Sequence, residues 1–183
     1  MEGESGTILW WSGPIGNSVI AIDGFGRLVY DPSVENLEID CNDASTALYI
    51  KTATRFTIRD IVIAGGTSAN PYSGLVLDAA YGNVAWGIID NIHLDYVKNA
   101  IEFLGHNNSA VVTDINIGTV IATNVHSYGF RFAQWADSID VTYGYVETNA
   151  NNAGGAIFND ATNPNIENGV YNIHFSRLIY DNW

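Results

Sequence analysis

Short runs of apolar residues in period-two alternation recur along this chain at nearly constant spacing. That recurrence limits the folds open to it more than any other feature. One set comprises Ala47-Leu48-Tyr49-Ile50, Gly74-Leu75-Val76-Leu77, Ala100-Ile101-Glu102-Phe103, Gly129-Phe130-Arg131-Phe132 and Gly155-Ala156-Ile157-Phe158, separated by roughly 26 to 29 residues. A second set follows it: Asp60-Ile61-Val62-Ile63, Asn91-Ile92-His93-Leu94, Asp114-Ile115-Asn116-Ile117, Ser138-Ile139-Asp140-Val141 and Asn172-Ile173-His174-Phe175, each a polar residue and then in, out, in. A third set, shorter still, is Asp95-Tyr96-Val97, Gly118-Thr119-Val120, Gly144-Tyr145-Val146 and Ser176-Arg177-Leu178.

Three strands per repeat predict a coil of three sheets: an all-β, right-handed parallel β-helix with rungs of about 22–29 residues. Helix formers are scarce, whereas Ile, Val, Thr, Tyr, Phe, Gly and Asn are abundant. A hairpin meander fits less well, because the Asn-Gly and Asp-Gly pairs of two-residue turns are only Asp23-Gly24 and Asn168-Gly169 and the repeat is far longer than a hairpin. Stacking predicts one internal column of Leu48, Leu75, Ile101, Phe130 and Ile157 and another of Ile61, Ile92, Ile115, Ile139 and Ile173. The segments 65–72 and 159–165, rich in Gly, Asn and Pro, read as loops leaving the coil.

The length, 183 residues, suits one domain, with early rungs over 1–45 and regular repeats over 46–183. Hydrophobic residues make up 47% and charged residues 15%, enough apolar surface for a core. Seven Lys+Arg against 20 Asp+Glu give a net charge of −13, which disfavours nucleic acid and anionic membrane surfaces as partners. The single Cys41 permits no internal disulfide and reads as a buried thiol. No signal peptide or membrane span is visible. Zinc and calcium spacings are lacking, so no metal and no cofactor are expected; Asn107-Asn108-Ser109 fits a glycosylation acceptor.

Two stretches carry a family likeness. Gly3-Glu4-Ser5-Gly6-Thr7-Ile8-Leu9-Trp10-Trp11, followed by Ser12-Gly13, resembles the glycine-turn and Thr-x-hydrophobic rung near the start of pectate-lyase-like β-helices, especially those of bacteriophage tailspikes. Leu37-Glu38-Ile39-Asp40-Cys41-Asn42, running into Ala47-Leu48-Tyr49-Ile50, is similar to the Ile-Asp-Gly-Asn step of that superfamily, with Cys41 in place of Gly. The resemblance implies a homotrimer, a virion or extracellular location, and binding or cleavage of polysaccharides. The missing terminal caps suggest a fragment or module of a larger protein or assembly.

Outward columns bring distant residues together. The first is expected to hold Tyr49, Val76, Glu102, Arg131 and Phe158, with Glu102 and Arg131 as an exposed ion pair. The second is expected to hold Val62, His93, Asn116, Asp140 and His174, with Asp140 orienting the His174 imidazole for proton transfer. The third is expected to hold Tyr96, Thr119, Tyr145 and Arg177. Aromatic rings stack on the C–H faces of sugars while amides, carboxylates and imidazoles bond the hydroxyls, so these columns point to a carbohydrate-recognition or adhesion module. Trp86 and Trp135 are the expected ring platforms, joined by Tyr96, Tyr145, Arg177, His93 and Asn116.

A polysaccharide hydrolase or lyase is the alternative. A glycosidase needs paired carboxylates, and Asp90, Asp95, Asp114, Asp140 and Glu147 are available, with Asp114, Asp140 and His174 the catalytic candidates. Gly105-His106-Asn107 only faintly echoes the Gly-His-Gly signature of polygalacturonase-like β-helices, and the scarcity of Lys and Arg weakens the case for a lyase. A self-assembling structural subunit is the third possibility.

Overall fold

A computed structural model describes residues 7–10, 17–41, 46–64, 66, 72–148, 155–159 and 169–182. The glycine-rich N-terminal motif before Thr7, the stretch Trp11-Ser12-Gly13, Asn42, and most of the two expected loops lie outside these residues. The chain winds as a parallel β-solenoid of about four rungs of about 28 residues. Two sheets carry it rather than the three expected. One has six strands, Ser18–Asp23, Thr46–Lys51, Ser73–Asp78, Asn99–Leu104, Tyr128–Phe132 and Gly155–Asn159. The other has ten, with the long strands Val84–Asp95, Val112–Val125 and Ala136–Thr148 at its centre. Every strand pairing within the two sheets is parallel.

In the six-stranded sheet the expected inner column holds: Leu48, Leu75, Ile101, Phe130 and Ile157 are register partners in turn, and Ile20 extends the column. All but the two end residues are fully buried; Ile157, in the last rung, is 44% exposed. The Phe103 and Phe132 rings beside them stack at 4.7 Å.

The ten-stranded sheet corrects the other columns. Its long strands turn corners at single residues held in the left-handed region, so hydrogen bonding continues round the bend and what reads as a second and third strand is one. Asp31, Arg55, Trp86, Asp114, Ser138 and Asn172, with φ between 49° and 55°, stand level with one another across paired strands and make the first corner. Asn36, Asp60 and Asn91, with φ between 52° and 57°, make a second. Both corners require the same local pattern, a residue tolerating left-handed backbone and then alternation into and out of the core.

The expected second inner column therefore splits in two. Ile61 and Ile92 align with Val120, whereas Ile115, Ile139 and Ile173 align with Gly87. Gly87 has no side chain because the Phe56 ring occupies its place, 2.1 Å from where a Cβ would lie. Cys41 is buried as expected, and burial, reinforced by the charge of Asp40, pushes its thiol up to about 12.

The corner ladder predicts a rank order for substitutions at Ser138, whose φ is 53°. A β-branched side chain clashes with the left-handed backbone and glycine does not, so Ser138→Val should be less stable than Ser138→Gly by about 1–2 kcal/mol in urea unfolding. Equal stability of the two variants would contradict the ladder.

Candidate binding face

The first corner and the strand face beyond it collect half of the residues expected to carry function. Along the corner run Trp86, Asp114, Ser138 and Asn172; two positions on, one outward row holds Ile88, Asn116, Asp140 and His174. Trp86 and Ile88 are exposed, 61% and 53%, in a strand whose other face is core. His174 Nδ1 lies 3.3 Å from Asp140 Oδ1, the neighbour relation expected of them, and both side chains are well exposed. Asp114 sits on the corner, where its carboxylate accepts a 3.1 Å hydrogen bond from the Thr113 hydroxyl.

A groove of about 400 Å³ crosses this face, lined by Ile88, Asp90, Asn116, Ile117, Gly118, Asp140 and Thr142. Gly118 makes room for the Asp90 carboxylate, since a Cβ there would meet Asp90 Oδ1 at 2.0 Å. The same Asp90 oxygen accepts backbone N–H bonds from Asn91 and Thr119, both 2.9 Å, so this carboxylate also pins the second corner. Beside the first corner is a recess of about 200 Å³ formed by Asn108, Val111, Trp135, Asp137, Gly169 and Tyr171. Asp137 Oδ1 there accepts bonds from Asn172 Nδ2 (2.9 Å) and Ser138 Oγ (3.2 Å). Ring faces and hydrogen-bonding groups therefore meet at one edge, which is what binding a sugar requires.

The remaining expected residues lie elsewhere, and two expected columns dissolve. His93 does not stand beside Asn116; it pairs in register with Val62 and Ile121, and Ile121 with Tyr145, beyond the second corner. Tyr96 is level with Asn124, and Thr119 with Tyr143, so Tyr96, Thr119, Tyr145 and Arg177 form no column. The Arg177 guanidinium instead lies 5.6 Å from the Tyr143 ring. Tyr145 donates to Glu147 at 3.2 Å, and burial and that bond raise its pKa.

On the outer face of the six-stranded sheet the expected column Tyr49, Val76, Glu102, Arg131 and Phe158 holds in register. Its ion pair is not the exposed one expected: Glu102 is only 6% exposed, with Arg131 Nη1 2.6 Å from its Oε2. Oε1 accepts hydrogen bonds from the Ser73 hydroxyl and from Asn99 Nδ2 at 2.9 Å. Burial pushes the Glu102 pKa up, but the donors Ser73, Asn99 and Arg131 outweigh it and hold it below the usual value.

Sequence reading passed over a second polar cluster on this face. Buried Asp78 accepts from the Tyr49 hydroxyl and lies 2.6 Å from His106 Nε2, while Lys51 bridges to Asp23 at 3.4 Å and lies 4.1 Å from the centre of the Tyr81 ring. Gly105-His106-Asn107 was the signal for it, but only winding brings His106 to Asp78, 28 positions earlier. Among the described residues no three His, Cys, Asp or Glu side chains converge to hold a metal ion.

Because the Glu102 pKa is lower folded than unfolded, its contribution to stability is complete above the unfolded value of about 4.5 and is lost as pH falls through the folded one. Glu102→Gln should cost about 1–3 kcal/mol at neutral pH and flatten the acid limb of the stability curve. An unchanged acid limb in pH-dependent urea unfolding would contradict this assignment.

Comparison with known proteins gives no match: no family model, no curated protein and no solved structure matches the chain. The fold itself is a parallel β-solenoid of about four turns.

Proposed function

We propose that this chain is a carbohydrate-recognition or adhesion module, pectate-lyase-like and of the bacteriophage-tailspike kind, whose ligand is a cell-surface or extracellular polysaccharide lying along the first corner. The observation that carries the reading is the set of rings along that edge. Tyr30, Trp86 and Tyr171 are 62%, 61% and 54% exposed, and Trp135 walls the recess beside Tyr171. Between them stand Arg55, Asp114, Asp137 and Asn172, groups that bond hydroxyls. Successive rungs rise by about 4.8 Å, close to the length of one pyranose, so a linear glycan parallel to the axis would meet one rung per sugar. A trimeric assembly and a virion or extracellular location belong to the same reading and rest on the sequence resemblance.

A second reading, polysaccharide hydrolysis, is favoured by one specific feature. Asp90 and Asp140 line the same groove from strands two rungs apart, with Gly118 between them. Asp90 is level with Thr142, two residues along the strand from Asp140, so the two backbones stand about 11–12 Å apart and the carboxylates must lean toward one another to reach the separation of about 6.5–9.5 Å used by inverting glycosidases. Asp90 is the partner that sequence reading did not pair with Asp140; Asp114 lies on the corner, outside the groove lining.

The test is a glycan array followed by titration of the best glycan. Trp86→Ala and Trp135→Ala should each weaken binding about tenfold, the equivalent of about 1.4 kcal/mol, with the circular dichroism spectrum unchanged. Failure of the unaltered chain to bind any glycan would contradict the recognition reading. Release of reducing ends by the unaltered chain and not by Asp140→Asn would move the conclusion to hydrolysis.

A further inference from the structure

The recess of about 200 Å³ beside the first corner has two aromatic walls and a single charged group, Asp137. Register sets Tyr171 next to Asp137 on the neighbouring strand, and Trp135 precedes Asp137 by two positions. Both rings occupy room that glycine leaves. A Cβ on Gly169 would overlap the Tyr171 ring, and one on Gly105 would run into the backbone oxygen and Cβ of Trp135. The cavity is therefore preformed, and the winding rather than any linear motif assembles it.

The Asp137 carboxylate is held in place but not neutralised. Its Oδ1 accepts from Asn172 Nδ2 at 2.9 Å and from Ser138 Oγ at 3.2 Å, both uncharged donors, which leaves Oδ2 without a partner among the described residues. All seven Lys and Arg and all four His of the chain are described, and none of them forms an ion pair with Asp137. His174 is engaged by Asp140 at 3.3 Å. Arg55, the arginine of this corner, is paired with Asp31 at 2.8 Å. It stands three strands from Ser138, roughly 14 Å, beyond the screening length of about 8 Å at physiological salt. Level with Ser138 on the strand before it, the exposed Asp114 adds a second carboxylate, bonded to the Thr113 hydroxyl.

We infer that this recess selects an amino sugar with a protonated nitrogen, so that the polysaccharide of the edge is a basic one of the glucosamine type. The inference rests on the glycan reading above and names the class of sugar. The sugar ammonium donates to Asp137 Oδ2, a charge-assisted hydrogen bond, and the negative faces of the Trp135 and Tyr171 rings attract the same cation. The C–H face of the sugar stacks on those rings. A uronate is repelled by Asp137 and Asp114, and an N-acetyl group removes the charge that carboxylate and rings attract.

Titration calorimetry of the full chain with three linear tetrasaccharides tests it: a glucosamine tetramer, its fully N-acetylated counterpart and a galacturonate tetramer. The glucosamine tetramer should bind about tenfold more tightly than the N-acetylated one and lose affinity as sodium chloride is added, with the galacturonate tetramer weakest. Asp137→Asn keeps an oxygen for Asn172 and Ser138, so it should melt at the temperature of the unaltered protein. It should nonetheless bring the glucosamine and N-acetylated tetramers to within about threefold of each other. Glu38→Gln removes the same unit of charge from an exposed position beyond the second corner and should keep the tenfold preference. That control separates the recess from general attraction between a polycation and an acidic protein. Equal affinity for the two glucosamine forms, tighter binding of galacturonate, a preference that survives Asp137→Asn, or one that Glu38→Gln also abolishes would overturn the inference. If the chain binds other glycans of the array without this preference, the recognition reading stands and this inference alone fails. If it binds no glycan, both fall.

Discussion

In-register parallel pairing of each rung with the next is the interaction on which everything else in this molecule depends. A single rung buries nothing and leaves two rows of unpaired backbone N–H and C=O groups. Its neighbour satisfies those groups and at the same step covers its apolar residues, so hydrogen bonding and core formation cannot be separated. The burial of Leu48, Leu75 and Ile101 shows the result: each is covered above and below by its partner in sequence repeats nearly thirty positions away. The end of the stack shows the converse, since Ile157 occupies the same column and is 44% exposed where no described strand follows it.

The same pairing generates the surface chemistry. Outward residues acquire partners from other rungs: Asp140 from His174, Glu102 from Arg131, Asp78 from His106, and Asn91 Nδ2 from Asp60 Oδ1 at 2.6 Å. Corners place rings and carboxylates on ridges, and glycine at position 118 leaves room for the Asp90 carboxylate.

Much of this was legible in the residues, and the boundary of what was not has a physical cause. Leu48, Leu75, Ile101 and Phe130 could be aligned because each follows a small residue in a short strand of five or six residues. Ile92 and Ile115 could not be told apart, because each follows a polar residue at a corner and each leads into the same alternation, although one belongs to the second corner and the other to the first. Misplacing that one rung misplaced His93 and created a third column that the backbone does not make. Left-handed Trp86 gave no warning either, since a bulky residue is unfavourable there and Gly or Asn is the usual occupant. Burial of Glu102 and the meeting of Asp78 with His106 depend on how side chains fold over the sheet, which strand pattern alone does not carry.

Nuclear Overhauser contacts between methyl and aromatic groups of the inner column are the most direct test of the winding. The account predicts cross-peaks linking Leu48 with Leu75, Leu75 with Ile101, and Ile101 with Phe130, in one continuous ladder. A pattern in which these residues instead contact positions close in sequence across antiparallel hairpins would contradict it, and with it the proposed glycan edge.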